Sequence, residues 1–247
     1  MAAVDSRVRT ATDRRRGAGR ARRVRRSPYR RRRRAARVVN AAHTKATRAD
    51  WLRAALDVFT SSGVEHVKVQ PLAAQLGVGR ASFYWYFTDR AALLDELQQV
   101  WAGTNTASIL DRSARPADTI TAAVLGLFEC WSDPSLFDPK LDTAMRDWAR
   151  TDSQVAAVVT AADERRLEAL THMFQRHRFA AGEAQVRARI VYYNQVGYYA
   201  LGIRETMQTR LGFVTDYLLA LTGQLPSAAE LRTFRRFLRN VASPHGG

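Results

Sequence analysis

The stretch that decides the fold runs from Gly63 to Leu94 and reads GVEHVKVQPLAAQLGVGRASFYWYFTDRAALL. A short apolar stripe marks its first half, at Val69, Leu72, Ala73 and Leu76. This stripe predicts a helix of only about two turns, because Gly77-Val78-Gly79 interrupts it. A second helix then leaves the turn at a steep angle. Two short helices joined by a glycine-containing turn of about three to four residues are typical of a helix-turn-helix.

The segment after this turn is crowded with aromatic side chains. Phe83 and Phe87 are four residues apart and can share an inward face, which leaves Trp85 and its neighbours outside. A recognition helix fits a DNA major groove about 12 Å wide, where arginine pairs with guanine, serine bonds to a base or phosphate, and an aromatic body contacts the thymine methyl group. The pattern therefore predicts a DNA-reading surface. The alternative is that the outer aromatics merely cap a small core.

A further amphipathic helix precedes this stretch. Thr47-x-x-Asp50 is typical of a capping box, and apolar residues follow at helical spacing: Leu52, Ala55, Leu56 and Phe59. We expect this helix to end near Gly63, which gives a three-helix unit.

These residues resemble the TetR/AcrR family of bacterial regulators over Thr47 to Leu94. The resemblance is carried by Gly63, Val69, Leu72-Ala73, Leu76-Gly77-Val78, Phe83-Tyr84-Trp85, Phe87 and Leu93. Its most specific part is the run Phe83-Tyr84-Trp85-Tyr86-Phe87-x-x-Arg90-x-x-Leu93, because a generic helix-turn-helix lacks this aromatic block followed by a cation.

The resemblance implies roles for individual residues. Tyr84 and Arg90 would contact phosphates, and Lys68 and Gln70 would anchor the neighbouring helix on the DNA backbone. The residues facing the groove would be Arg80, Ala81, Ser82, Trp85 and Tyr86. The chain departs from the family pattern at four positions: Tyr86 replaces the usual His, Arg90 the usual Lys, Gly79 a Ser or Thr cap, and Pro71 enters the first turn of a helix. The operator sequence therefore cannot be copied from relatives.

Beyond Leu94 the pattern predicts helix after helix, with breaks near Arg115-Pro116, Asp133-Pro134, Asp138-Pro139, Gly182 and Gly223. We expect Asp138-Pro139 and Ser227-x-x-Glu230 to begin helices. The fold class predicted is all-α, an N-terminal three-helix helix-turn-helix domain followed by a C-terminal helical effector-binding and dimerisation domain. The predicted division is a tail at 1–46, a DNA-binding domain at 47–93 and an effector domain at 94–247. Residues Asp138 to Phe174 also resemble the C-terminal region of some TetR-type proteins.

The effector domain offers candidates for two kinds of contact. Trp148, Tyr192, Asn194 and Arg146 are predicted to line a pocket for a small apolar effector, since polar tips beside aromatic bodies would orient it. The resemblance implies dimerisation through a helix from about Glu183 to Arg210, with Ile190, Tyr193, Gly197 and Leu201, and through the next helix, with Phe213, Tyr217, Leu218 and Leu221. Ordinary core packing is the alternative in both cases. A homodimer would place two reading helices on a pseudo-palindromic operator.

The net charge of +16 is concentrated near the N-terminus. Residues 1–48 hold seventeen Arg and one Lys against Asp5 and Asp13, whereas residues 49–247 hold 21 basic and 21 acidic side chains. We expect the arginine-rich segment to be disordered. Three interpretations stay open. The segment is an arm that tracks phosphates, or an over-extended gene start, in which case the true start uses a non-ATG codon because no Met occurs between Met1 and Met145. The third is a mitochondrial transit peptide, against which Asp5 and Asp13 argue.

Other classes of protein have little support. No apolar run approaches the roughly 18 residues of a membrane span, and the single Cys130 provides neither a disulfide nor a cysteine-based zinc cage. The enzyme motifs GxSxG and HExxH and a glycine-rich phosphate loop are missing. We therefore expect a cytoplasmic, nucleoid-associated homodimer without cofactor or metal, whose partners are double-stranded DNA and a small molecule. The function predicted is a ligand-responsive repressor; the alternatives are an architectural DNA binder using the tail, and an enzyme.

Overall fold

The computed structural model describes residues 46–242, so the arginine-rich segment lies almost entirely outside the described residues. Within 46–242 the chain forms ten α-helices and no strand, which confirms the predicted all-α class. The helices are α1 Arg48–Ser62, α2 Val69–Gln75, α3 Arg90–Trp101, α4 Ala107–Ala114, α5 Ile120–Ser132, α6 Pro139–Ala149, α7 Ser153–Arg176, α8 Ala181–Ala200, α9 Met207–Thr222 and α10 Ala228–Ala242. None of them is both long and apolar enough to cross a bilayer.

The first two helices begin and end where the sequence predicts. The Thr47 and Asp50 side chains form a reciprocal capping box at the start of α1. Gly63 ends that helix with a φ of 87°, a conformation that favours glycine. The helix α2 is two turns long, and Gly77 leaves it with a φ of 67°.

The segment after the turn differs in detail from the prediction. Residues Arg80–Trp85, called the recognition segment below, form a 3₁₀ helix rather than an α-helix. The amide of Ser82 donates to Gly79 O at 3.0 Å, and the amide of Tyr86 donates to Phe83 O at 3.0 Å. Gly79 provides no side-chain cap, and Asp89 soon starts α3 as its N-cap. The segment is therefore too short and too weakly capped to extend into regular α-helix.

The helix α3 joins the recognition segment to the rest of the chain. It passes through a π-helical turn, Ala102–Thr106, directly into α4. Its buried Trp101 shares one hydrophobic core with Phe59 of α1 and Met145 of α6. The predicted boundary between the DNA-binding and effector domains, after residue 93, lies inside α3. The hydrophobic core that contains Trp101 has members on both sides of this boundary.

A second hydrophobic core lies among α4, α5 and α7 to α10. Phe174 and Leu170 of α7 pack there with Val124 of α5 and Leu218 of α9. Cys130 is completely buried in the same core, and this burial raises the pKa of its thiol to about 12. The cysteine is thus a core side chain.

The C-terminal helices correct two predictions. The prediction of a single helix from Glu183 to Arg210 is wrong, because α8 ends at Ala200 and Gly202 follows with a φ of 63°. The next helix, α9, starts after its N-cap Thr206. Leu218 and Leu221, predicted to face a second protomer, are instead buried within the protomer. The predicted caps at Asp138 and at Ser227 with Glu230 are confirmed.

Candidate nucleic-acid interface

The recognition segment rests on a platform of buried aromatic rings. Phe83 is fully buried, its ring 5.2 Å from the Trp51 ring in an edge-on arrangement and 5.2 Å from the stacked Phe87 ring. Edge-on and offset stacking of this kind stabilises an aromatic cluster beyond the area that it buries. Because Phe83 anchors the segment from below, the side chains on either side of it are held in fixed positions on the surface.

The opposite face of the segment is open to solvent. Trp85 has 69% of its surface exposed and Tyr84 has 48%. Arg80 and Ala81 are also exposed, whereas Ser82 and Tyr86 are half-buried. Tyr84 and Trp85 together expose aromatic surface at one place, which is typical of a binding surface.

Arg80 and Tyr84 are linked on this face. The Arg80 Nη2 group donates a hydrogen bond of 2.8 Å to the Tyr84 hydroxyl, and its guanidinium carbon lies 5.7 Å from the centre of the Tyr84 ring. The Ser82 hydroxyl donates to Gly79 O at 2.8 Å, which leaves its oxygen lone pairs to accept from a partner. The face thus presents one oriented cation beside hydroxyl groups.

The residues expected on the DNA backbone lie beside this face. Lys68 and Gln70 are exposed at the start of α2. Arg90 is half-buried, and it donates from Nε to Val67 O at 2.6 Å and from Nη2 to Val64 O at 2.7 Å. Arg90 therefore fixes the loop that precedes α2. Its implied contact with a phosphate stays a prediction, and the sequence carried no signal of this bracing role.

Two of the predicted effector-pocket residues belong to a charged network instead. Arg146 makes a two-pronged pair with Asp163, at 2.8 and 2.9 Å, and also donates to the Tyr192 hydroxyl at 2.9 Å. That hydroxyl in turn donates to Asp163 at 2.6 Å. Burial raises the pKa of Tyr192 to about 12, although Arg166 and Arg146 act against the shift. The polar groups of Arg146 and Tyr192 are thus satisfied within the protein.

The fully buried Arg166 completes this network. It donates to Asp142 at 3.1 Å, to the Tyr192 hydroxyl at 3.0 Å and to Thr106 at 2.8 Å. Its guanidinium carbon lies 4.8 Å from the centre of the Trp101 ring. Burial raises the pKa of Asp142, but Arg166 and Arg146 outweigh this effect and hold it below the usual value of 3.8. The network therefore ties the end of α3 to α6, α7 and α8.

The other two predicted pocket residues lie apart from each other. Trp148 packs in the first core, its ring edge-on to Phe59 at 5.9 Å. Asn194 lines a pocket among α5, α8, α9 and α10, together with Trp131 and Gln195. The structure thus brings Arg146 and Tyr192 together but places Trp148 and Asn194 elsewhere, and of the four only Asn194 reaches this pocket. Sequence reasoning missed Trp131, since a buried tryptophan has the same helical pattern in a core or a pocket. Within 46–242 no cluster of His, Cys, Asp and Glu is suited to a metal ion.

Comparison with known proteins agrees with this geometry. Residues 52–97 match the family described as bacterial regulatory proteins, tetR family. The chain is also 39% identical over 54 residues to the class A tetracycline repressor protein from transposon 1721 of Escherichia coli. That match covers 22% of this chain and 25% of the relative, so it spans only a quarter of the relative's length.

Solved structures resemble the chain over a longer range. GusR of Salmonella enterica superimposes with a TM-score of 0.50 at 13% identity, covering 78% of this chain and 93% of that one. A putative TetR-family transcriptional regulator from Mesorhizobium loti gives a TM-score of 0.49 at 16% identity, covering 76% and 94%. The likeness to GusR concerns the fold alone. Residues 52–97, which include the aromatic segment, are thus similar to the tetR family of bacterial regulatory proteins.

Proposed function

We propose that the protein is a ligand-responsive transcriptional regulator that binds a pseudo-palindromic DNA operator as a homodimer and represses the adjacent gene. A small molecule bound by the C-terminal helices releases the operator. The protein acts on the bacterial chromosome, and hence in the cytoplasm at the nucleoid. It is a binding protein, not an enzyme.

The observation that carries this proposal is the exposed face of the recognition segment above its buried aromatic platform. Arg80 is already oriented by Tyr84, and Trp85 projects beside it. Arginine is the side chain best suited to pair with guanine in the major groove, and an aromatic ring suits the thymine methyl group. Lys68 and Gln70, on the neighbouring helix, supply contacts to the DNA backbone that set the register.

The dimer is supported by apolar side chains that the single protomer leaves uncovered. On α8, Val186, Ile190 and Tyr193 lie on one face, each more than half or about half exposed. Phe213 and Tyr217 form a second exposed pair one turn apart on α9. Exposed apolar surface of this extent favours association with another molecule. A second copy of the chain would cover these apolar side chains, and it would also supply the second recognition segment that a two-fold operator needs.

Ligand response requires that the small molecule bind one arrangement of the dimer more tightly than the other. The network around Arg166 supports such coupling, because it connects Trp101 at the end of α3 with Tyr192 on α8. The same α8 carries Asn194 into the pocket. A shift of α8 therefore reaches the helix that follows the recognition segment.

The test begins with a selection of bound duplexes from a random library by the full chain. Binding of the selected duplex and of a scrambled version of it is then compared by fluorescence anisotropy at about 150 mM salt. A preference of about 1,000-fold or more, with two protomers per duplex, is expected of a specific regulator. Equal binding of both duplexes would contradict the proposal and favour an architectural DNA binder.

A further inference from the structure

The pocket among α5, α8, α9 and α10 is built mainly from apolar side chains. Its cavity volume is about 70 Å³, and part of the pocket opens to solvent. Phe128, Phe234, Val214 and Leu238 supply much of its wall. Such a lining is suited to the apolar body of a small ligand.

One wall of this pocket holds a hydrogen-bond donor that the protein leaves unused. Trp131 is 5% exposed, and its indole Nε1 has no hydrogen-bond partner among the described residues. A buried indole N–H normally finds an acceptor. The Tyr199 hydroxyl donates to the backbone oxygen of Trp131 at 3.2 Å, and the Ser132 hydroxyl donates to Phe128 O at 2.7 Å, so neither bond involves the indole N–H.

A second polar side chain of the pocket lies on α8. Gln195 lines the pocket, and its Nε2 amide is buried. Burial raises the pKa of the Tyr199 hydroxyl, and a hydrogen bond from Gln195 acts against this shift, so this amide already has a partner. The Trp131 N–H is therefore the donor that favours a ligand bringing an acceptor with it.

The rim of the pocket carries one charge of each sign. The Arg210 guanidinium carbon lies 5.7 Å from the centre of the Tyr198 ring, and the Tyr198 hydroxyl donates to Glu205 at 3.2 Å. Arg210 makes no ion pair with a carboxylate within the part of the chain that the structure describes. It is therefore available to an anionic ligand, while a neutral ligand needs only the Trp131 indole N–H.

We propose that this pocket binds an aromatic molecule whose polar group is an oxygen acceptor, a carbonyl or a carboxylate, and that Trp131 Nε1 donates to that oxygen. The inference rests on the proposed ligand response and names the chemistry of its ligand. Shape and burial hold the ring, and the indole N–H fixes its orientation.

The test uses two isosteric probes, 2-acetylnaphthalene and 2-isopropenylnaphthalene, in which a CH₂ group replaces the carbonyl oxygen. Binding to the full chain is measured by calorimetry without DNA. Water solvates the ketone better, so a purely apolar pocket prefers the hydrocarbon. We expect the ketone to bind at least as tightly as the hydrocarbon. Tighter binding of the hydrocarbon, or no binding of either probe, would overturn the proposal.

Variants assign the preference to one side chain. Trp131→Phe removes the N–H and keeps an aromatic ring, so it weakens the ketone by about tenfold and changes hydrocarbon affinity little. Trp148→Phe, a buried tryptophan of the other core, is the matched control and leaves the ratio of the two affinities unchanged. An unchanged ratio in Trp131→Phe would contradict the assignment.

A third probe, 2-naphthoate, distinguishes the two sources of the acceptor. If 2-naphthoate binds more tightly than the ketone and Arg210→Met abolishes that gain, the natural ligand carries a carboxylate. If 2-naphthoate binds more weakly than the ketone, the acceptor is a neutral carbonyl. Both results support the acceptor. The operator assay is separate, so a protein that binds the ketone as expected but prefers no duplex contradicts the proposed function and leaves the pocket assignment intact.

Discussion

The Arg80 guanidinium donates to the Tyr84 hydroxyl at 2.8 Å across one turn of the recognition segment, and both side chains are exposed. A free surface arginine samples many rotamers and loses them when it binds. Because Tyr84 already holds Arg80 near one orientation, part of that entropic cost falls on folding rather than on DNA binding. Under the proposed function, the pair therefore orients Arg80 before DNA is bound.

The first prediction concerns this orientation. Tyr84→Phe keeps the ring and removes the hydroxyl that accepts from Arg80 and that the family resemblance also places on a phosphate. We expect operator affinity to fall by about 0.5–1.5 kcal/mol, since Arg80 is less ordered in the free protein. Anisotropy with the selected operator measures the effect. Arg165→Ala, at an exposed arginine of α7, is the control and leaves affinity unchanged. Wild-type affinity in Tyr84→Phe would show that the pair has no role in binding.

The second prediction concerns the aromatic platform. Phe83→Ala removes the ring that contacts Trp51 and Phe87, and we expect it to lower the free energy of unfolding by about 3–5 kcal/mol. Urea unfolding followed by circular dichroism measures this loss. Leu225→Ala, at a side chain that is 66% exposed, should stay within about 0.5 kcal/mol of the wild type. Equal small effects in both variants would mean that the platform is not a core.

The third prediction concerns the network around Arg166. Asp142→Asn removes the nearer carboxylate of that buried cation and leaves only Asp163, at 3.8 Å, so we expect a loss of about 3–5 kcal/mol in the free energy of unfolding at pH 7. Asp111→Asn breaks an exposed pair with Arg115 and should cost less than about 1 kcal/mol.

The stabilities of the wild type and of Asp142→Asn should also differ in their dependence on pH. The pKa of Asp142 is lower in the folded protein than its ordinary value of 3.8, so its contribution to stability is fully present well above that value. The contribution is lost as the pH falls through the lowered pKa. The difference between the wild type and Asp142→Asn should therefore be constant near neutrality and shrink below about pH 4. A difference that grows in acid would contradict the charged state assigned to Asp142.

The fourth prediction concerns the dimer. Ile190→Asp and Tyr193→Asp place a charge on side chains of α8 that are 50% and 55% exposed, and each should convert the dimer to monomer at micromolar concentration. Analytical ultracentrifugation measures the mass. Val158→Asp introduces the same charge at an exposed apolar side chain of α7 and should leave the dimer intact. A wild-type protein that is monomeric at high concentration would exclude this interface.

The fifth prediction concerns the arginine-rich segment, residues 1–45, which lies outside the described residues. Deleting it removes sixteen arginines but none of the recognition segment. We expect the preference for the operator over scrambled DNA to persist, while total affinity falls and depends less steeply on salt, because each lost phosphate contact lowers the log–log slope by about 0.9. Loss of the preference itself would assign recognition to the arm.

Local sequence signals predicted the DNA-binding end of the molecule well. Thr47 with Asp50, Gly63 and Gly77 each act through the backbone of their own few residues, so their effect can be read from neighbouring letters. The inward placement of Phe83 and Phe87 followed from their spacing alone. The 3₁₀ form of the segment did not, since it depends on what starts and ends so short a helix.

Long-range contacts were harder to predict. Arg146 and Tyr192 are far apart in the sequence, and nothing local shows that both donate to Asp163. Leu218 and Leu221 carry the same helical signal whether they face a second protomer or their own core. A tryptophan pattern likewise does not distinguish Trp148, packed on Phe59, from Trp131 beside the pocket.

Reading of base edges by the recognition segment in a two-fold arrangement is tested by sequencing the duplexes that the wild-type protein and Arg80→Ala select in parallel from one random library. We expect an inverted repeat for the wild type, with half-sites about 10–10.5 base pairs or a multiple apart. Arg80→Ala should relax one base pair in each half-site by about 1–3 kcal/mol and leave the others unchanged. A wild-type pool without a repeat, or a variant that weakens all sequences equally, would contradict it.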